Sequence, residues 1–251
     1  MSCVDIRGCR IGEGRPKVIL PIVERAEAAI LEKAAQFSTL QADCVEWRVD
    51  YFEGVRAPGA VARCLAKMRV ILRDKLLLVT FRTKTEGSEQ ALSHPEYLDF
   101  LSLILDTDCA DLLDIEFFTA GADLPKLVEQ AHSAGVAVVC SSHDFAKTPP
   151  RAELVCRMVQ MQQAGADLPK LAVMPQCRAD VLELLAATAE MAEHHPETPV
   201  ITMSMGALGA VSRLAGEAFG SAMTFANPGQ ASAPGQVPLE VVNQVLDALH
   251  L

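Results

Sequence analysis

Gly165-Ala166-Asp167-Leu168-Pro169-Lys170-Leu171-Ala172-Val173-Met174-Pro175 is a short apolar run closed by proline and entered from an amphipathic helix. Such a run reads as a buried strand. Lys170 is the misfit in it, because a buried ammonium is costly unless it is paired or becomes neutral. A neutral, desolvated lysine amine is a nucleophile that condenses with ketones. The same six letters, Gly-Ala-Asp-Leu-Pro-Lys, also occupy positions 121–126. The residues after each copy separate the two. Leu124, Leu127, Val128 and Ala131 fall at helical spacing, Asp123 is placed to cap that helix, and Pro125 suits its first turn. Lys126 is therefore read as a solvated lysine at a helix start, and Lys170 as the lysine inside a strand.

Outward from this strand the same unit repeats: a short apolar run, a polar or Gly/Pro loop, an amphipathic helix. Strands are predicted at 18–22, 44–48, 76–81, 112–116, 136–141, 168–174, 200–203 and 222–225. Helices are predicted near 24–36, 58–73, 94–106, 124–134, 151–164, 178–194, 207–217 and 238–249. Eight units of about 30 residues are the spacing of an α/β (β/α)8 barrel of the TIM type. Residues 1–15 read as a small hairpin or an extended cap. A doubly wound open sheet is the alternative, but no Gly-x-Gly-x-x-Gly follows the first strand, and Gly206-x-x-Gly209 is too weak a nucleotide loop. No low-complexity linker divides the chain, so residues 1–251 are expected to form one catalytic domain.

The 251 residues are half hydrophobic but only 5% aromatic, so the core must be largely aliphatic. A net charge of −10 argues against nucleic acid or an anionic membrane as partner. An anionic substrate must then be held by a local basic cluster. The eight cysteines (Cys3, Cys9, Cys44, Cys64, Cys109, Cys140, Cys156, Cys177) include no Cys-x-x-Cys pair and read as thiols of a reducing cytosol. The first residues lack the apolar core of a signal peptide, and no apolar run is long enough to span a membrane. The expectation is a soluble, cytoplasmic protein.

A barrel of this type carries its chemistry at the C-terminal ends of its strands. Glu46, Arg48 and Asp50 share one face at the end of the second strand. Arg82 follows the third, with Glu86 in the loop beyond. Glu116 ends the fourth, His143 and Asp144 follow the fifth, and Lys170 lies in the sixth. Met203 and Met205 end the seventh, Arg213 comes shortly after, and Phe225 ends the eighth. Each has a plainer reading: histidines are often structural, strand-end ion pairs are weak at the surface, and methionines fill core. The remaining histidines (His94, His132, His194, His195, His250) lie on helices or at their ends and read as solvated. Convergence at one end of one barrel favours chemistry.

A lysine with an unperturbed pKa of about 10.4 is a free amine in only about one molecule in 2,500 at pH 7. Burial and cations such as Arg48 and Arg213 are expected to supply the roughly 4–5 kcal/mol needed to bring it near 7. The iminium then acidifies the neighbouring carbon. His143 is the natural base, and Glu86 is placed to fix its tautomer. Arginines suit a substrate carboxylate through bidentate bonding. The set implies a small anionic ketone as substrate and needs neither metal nor cofactor.

These residues are similar to those of type I 3-dehydroquinate dehydratases. The matching blocks are Glu46-Trp47-Arg48-Val49-Asp50, Phe81-Arg82-Thr83 with Glu86-Gly87, Ser142-His143-Asp144-Phe145 with Thr148-Pro149, and Asp167 to Pro175. Met205-Gly206, Ser212-Arg213, Phe219-Gly220-Ser221 and Ser232-Ala233-Pro234-Gly235-Gln236 come after these, in the family's order, over nearly the whole chain. The resemblance implies a homodimeric barrel that converts 3-dehydroquinate to 3-dehydroshikimate by syn elimination through an imine. It implies Lys170 as the Schiff-base lysine, His143 as general base and Glu86 as its orienting partner. Arg213 and Gln236 would hold the substrate carboxylate, with Glu46, Arg48, Arg82 and Ser232 on its hydroxyls and surroundings. Met203, Met205 and Phe225 complete the substrate-binding set, and the 232–236 loop would close over the substrate. The family often has glycine at Ser88 and an aromatic at Ser142, so loop stiffness is where this chain departs.

Three other readings fit fewer residues. A class I aldolase would use a similar lysine, with a phosphate at the Gly206–Gly209 turn. A metal-dependent barrel on Glu46, Glu116 and His143 leaves Lys170 unexplained. A barrel that only binds a metabolite leaves the Lys170, His143 and Glu86 set without a task.

Overall fold

Side chains alternate across a strand, and a parallel strand covered by helices buries both faces. The computed structural model, which describes residues 2–229 and 235–251, has that pattern. An antiparallel pair comes first, β1 (Val4–Ile6) and β2 (Cys9–Ile11). Its turn, Arg7-Gly8, has positive φ at both residues, 52° and 78°, the backbone of a two-residue hairpin turn. The parallel wall comes next: β3 (Lys17–Ile22), β4 (Cys44–Arg48), β5 (Leu76–Thr80), β6 (Leu112–Glu116), β7 (Ala137–Asp144), β8 (Leu168–Val173), β9 (Ile201–Ser204) and β10 (Met223–Asn227). From β3 to β9 each pairs with the next, and β10 pairs with β3. A bridge between Val200 and Ser221 joins the remaining edges and closes the ring. The short β11 (Val237–Pro238) lies beside β10.

The helices are α1 (Glu27–Ser38), α2 (Ala60–Leu72), α3 (His94–Leu105), α4 (Phe117–Ala120), α5 (Leu124–Ser133), α6 (Arg151–Gln163), α7 (Arg178–His194), α8 (Val211–Leu214), α9 (Gly216–Phe219) and α10 (Leu239–Ala248). None is long and apolar enough among the described residues to cross a membrane. In α5, Leu124, Leu127, Val128 and Ala131 are the buried stripe, and Lys126 is exposed, as the spacing predicts.

Two apolar clusters divide the strands by parity. Val45, Trp47, Leu77, Val79, Leu113, Ile115, Leu171 and Val173 face outward onto the helices. Cys44, Leu76, Leu78, Leu112, Val139, Leu168, Ala172 and Ile201 face inward and pack with Ile11 of the hairpin. The hairpin therefore plugs the N-terminal end of the barrel. Arg7 in its turn pairs with Asp111, whose other oxygen accepts from Leu77 N (2.8 Å) and Arg69 Nη1 (2.6 Å).

Several details differ from the sequence-based expectations. The fifth wall strand, predicted at 136–141, runs on to Asp144, because β8 extends alongside and pairs His143 with Ala172 and Asp144 with Val173. His143 thus sits in a strand, not after one. The helix predicted over 207–217 is replaced by a turn and the short α8 and α9. Gly209 packs so closely on Ser204 that a Cβ there would stand 2.3 Å from its carbonyl oxygen, which holds the chain in a loop. Asp123 does not cap α5 with its side chain; a 3-10 turn leads in, and the carboxylate accepts from His94 Nε2 at 2.9 Å. His94, His132 and His250 are exposed, yet each is tied to a carboxylate (Asp123, Asp167, Glu217). All eight cysteines are free thiols, three of them buried.

Candidate active site

Parity carries the polar groups inward along with the apolar ones. On β8, Lys170 lies between inward-facing Leu168 and Ala172 and is 3% exposed. Its Nζ donates to Asp114 Oδ2 at 3.2 Å and stands 4.8 Å from the centre of the Phe225 ring. Arg48 and Arg213, the cations expected beside the lysine, line the same cavity, but the group in direct contact is a carboxylate. Asp114 is absent from the sequence-derived set. It alternates with Leu112 and Glu116 on β6, an acidic residue within an apolar strand, so the reasoning that selects Lys170 selects it as well.

Arg82 leaves the end of β5 and is buried. Its Nη1 donates to Glu116 Oε1 and Ser141 Oγ, both at 2.9 Å, and to Glu86 Oε2 at 3.4 Å. Its Nη2 donates to Asp114 Oδ2 at 2.9 Å. Burial disfavours the guanidinium charge, but Asp114, Glu116 and Glu86 outweigh it and raise its pKa. Glu116 is held in turn by Thr83 N, Thr83 Oγ1 and Thr119 Oγ1. Arg82 is thus the hub of a buried ionic cluster, and a buried charge is tolerated on these terms.

His143 and Glu86 meet across 2.8 Å, Nδ1 to Oε2. The backbone N–H of His143 also donates to Oε2, at 3.2 Å. Oε2 is therefore an acceptor, so the ring donates through Nδ1–H and keeps the Nε2 lone pair, a tautomer assigned from the network. Burial pushes His143 well below its ordinary value, and Arg82, Lys170 and Arg48 add to the effect. Burial pushes Glu86 up to about 8, with Arg82 opposing and Glu116 and Asp114 reinforcing. Glu86 Oε1 is buried with no hydrogen-bond partner among the described residues. Both groups resist their own charged forms, and the pair holds Nε2 ready to accept a proton.

The other predicted residues complete the wall. Arg48 is clamped by Asp50 through Nε and Nη2, both at 2.8 Å, and lies over the Tyr51 ring at 5.0 Å. Ser88 Oγ donates to the same Asp50 (2.8 Å), so this chain's serine ties the loop to the carboxylate that aims Arg48. Ser142 Oγ, the other departure, faces outward to Arg157 Nη1 at 3.1 Å. Glu46 accepts from Thr80 Oγ1 at 2.9 Å. Burial pushes Arg213 down to about 10, still a cation at neutral pH, and its Nη1 approaches Met203 Sδ at 3.6 Å.

Lys170, His143, Glu86, Glu46, Arg48, Arg82, Arg213, Met203, Met205, Phe225 and Gln236 all line one cavity of about 200 Å³ at the C-terminal ends of the strands. Tyr51 and Phe145, which the sequence reading did not select, line it too. Ser232 lies outside the described residues. A wider depression of about 1020 Å³ sits at the opposite end, by the hairpin. Several of its basic groups are already engaged: Arg7 with Asp111, Arg10 with Glu13, and Lys75 Nζ with the Leu40 and Ala42 carbonyls. The convergence of lysine, base and cations is in the smaller cavity.

Residues 18–251 match the family model described as Type I 3-dehydroquinase. A 3-dehydroquinate dehydratase of Bacillus licheniformis is 47% identical over 247 residues, covering 98% of this chain and 97% of that protein. The corresponding protein of Salmonella typhimurium is 44% identical over 250 residues, covering 100% and 99%. The type I 3-dehydroquinate dehydratase of Clostridium difficile, solved with covalently modified comenic acid, superposes with a TM-score of 0.96 at 43% identity, covering 99% of this chain and 98% of that one. The carboxyl transferase domain of Rhizobium etli pyruvate carboxylase, at 13% identity and a TM-score of 0.65, shares the fold alone.

Proposed function

The chain belongs to the type I 3-dehydroquinase family, and from that premise we propose the part each residue plays. The reaction is dehydration of 3-dehydroquinate to 3-dehydroshikimate through a lysine Schiff base. Lys170 is the nucleophile. The observation that carries this reading is its position: a buried Nζ inside the barrel, one strand from the His143–Glu86 pair, with Ser141 opposite Lys170 and Ala172 opposite His143 in the register.

Lys170 condenses with the ketone, and the iminium draws electrons from the adjacent C–H bond. His143 Nε2 takes that proton, and the resulting imidazolium returns it to the departing hydroxyl, which leaves as water. Base and acid are then one residue on one side of the substrate, the geometry of a syn elimination. Glu86 holds the ring and supports its charge while the proton is in transit. Arg213 and Gln236 receive the substrate carboxylate. Glu46, Arg48 and Arg82 meet its hydroxyls, with Ser232 from the closing loop, and Met203, Met205 and Phe225 form the apolar wall. The ring of strands and its helices act as one domain spanning 1–251, and the working form is a cytoplasmic homodimer.

Borohydride reduction in the presence of 3-dehydroquinate, followed by peptide mass mapping, tests the assignment. The expected result is a stable adduct on Lys170, loss of activity, and no adduct in Lys170→Ala. A chelator is expected to leave turnover intact. Turnover that persists in Lys170→Ala, or an adduct on another lysine, would overturn it.

A further inference from the structure

Nothing in the roles above uses Asp114, yet it is the group in contact with the reacting nitrogen. Its side chain is buried, and each oxygen is occupied. Oδ2 takes Lys170 Nζ (3.2 Å) and Arg82 Nη2 (2.9 Å), while Oδ1 takes Ser141 Oγ (2.6 Å). Three strands supply this arrangement, β6, β7 and β8, with Arg82 arriving from the end of β5. The carboxylate is therefore fixed in rotation, with one oxygen aimed at Nζ.

Arg82 alone does not explain it. Glu116 lies 2.9 Å from the same guanidinium and already supplies a counter-charge, and Glu86 lies within 3.4 Å. Arg82, Lys170 and Ser141 together hold Asp114 in its ionised form against the penalty of burial. Its Oδ2, 3.2 Å from Nζ and held in place by Arg82, is the acceptor to which the lysine nitrogen already donates.

We propose that Asp114 takes the proton that must leave Lys170 before its amine can attack the ketone. The step rests on the Schiff-base role of Lys170. A proton passes from the ammonium to Oδ2, leaving a neutral amine and a carboxylic acid. The nitrogen lone pair forms the C–N bond while the carbonyl π pair moves onto oxygen. A proton shift from nitrogen to that oxygen gives the neutral carbinolamine. The Asp114 proton then leaves with the hydroxyl as water, the C=N bond forms, and the restored carboxylate faces the iminium N–H. No external proton or oxidant is consumed. Oδ1 stays bonded to Ser141 throughout, so Oδ2 does not turn away between the two transfers.

The test is the rate at which borohydride traps the Lys170 adduct during a single turnover of 3-dehydroquinate, followed across pH 6 to 9. Asp114→Asn keeps the size of the side chain and removes the acceptor. It is expected to slow trapping by about 100-fold and to make the rate climb with pH, where the native enzyme is level, because solvent hydroxide must do the work. Ser141→Ala, which loosens Oδ1 without touching the charge, is expected to slow trapping roughly fivefold, and it decides the matter if Asp114→Asn does not fold. Native trapping rate and pH profile in folded Asp114→Asn, or an unchanged rate in Ser141→Ala when that variant alone folds, would overturn the proposal. An absent adduct in the native enzyme would instead overturn the Schiff-base role itself.

Discussion

A histidine acts as a base only while its ring is neutral, and the surroundings of His143 keep it so. Burial first, then Arg82, Lys170 and Arg48, depress its pKa from the ordinary 6.5. Activity needing neutral His143 is lost as pH falls through that lowered value, so the acid limb of kcat/KM should lie below pH 6.5. His143→Ala should cut kcat by about 10²–10⁴-fold while still yielding a Lys170 adduct. Glu86 behaves oppositely, rising from 4.5 to about 8 on folding. The folded state binds its proton more tightly, so this stabilisation is complete below the unfolded value and disappears as pH rises through about 8. Glu86→Gln mimics the protonated form. Its thermal midpoint should gain on the native chain from about pH 5 to 8 and hold the gain above, which thermal melts across pH would show. At this scale the sequence discloses the charged residues that break an apolar pattern, Lys170 foremost. It does not disclose which pairs touch: that Lys170 meets Asp114 and not an arginine depends on the register of three strands.

The inward parity of Glu46, Arg48, Asp114, Glu116, Ser141, His143 and Lys170 was readable from single runs, because two-residue alternation is local. The limits of β7 were not, since β8 extends it by pairing beside it. Nor was the break in the predicted 207–217 helix, whose cause is a contact between Gly209 and Ser204 across the loop. A similar contact meets Gly235. Gly235 has a φ of +76°, and a Cβ there would come within 2.1 Å of the Gly206 carbonyl oxygen. Backbone meets backbone, so neither side can yield by turning a side chain. Gly235→Ala should displace Gln236 next to it and raise KM for 3-dehydroquinate more than it lowers kcat, as steady-state kinetics would record.

For the molecule as a whole, the eightfold repeat was the most legible feature, since each unit declares its strand and helix separately. The hairpin at the N-terminus was legible only as a cap; its place at the barrel floor comes from Ile11 packing among inward residues of distant strands. Homodimerisation leaves no such mark in the pattern of charges. It predicts a sedimentation-equilibrium mass of about twice the 27.0 kDa chain, and a mass of one chain would remove it from the proposal. The floor has a consequence for traffic. Ile11, Leu76, Leu112, Leu168 and Ile201 shut the axial route beneath Lys170 with hydrocarbon. Water made when the imine forms must therefore leave toward the end by which the acid entered. Arrivals and departures share that end of the barrel.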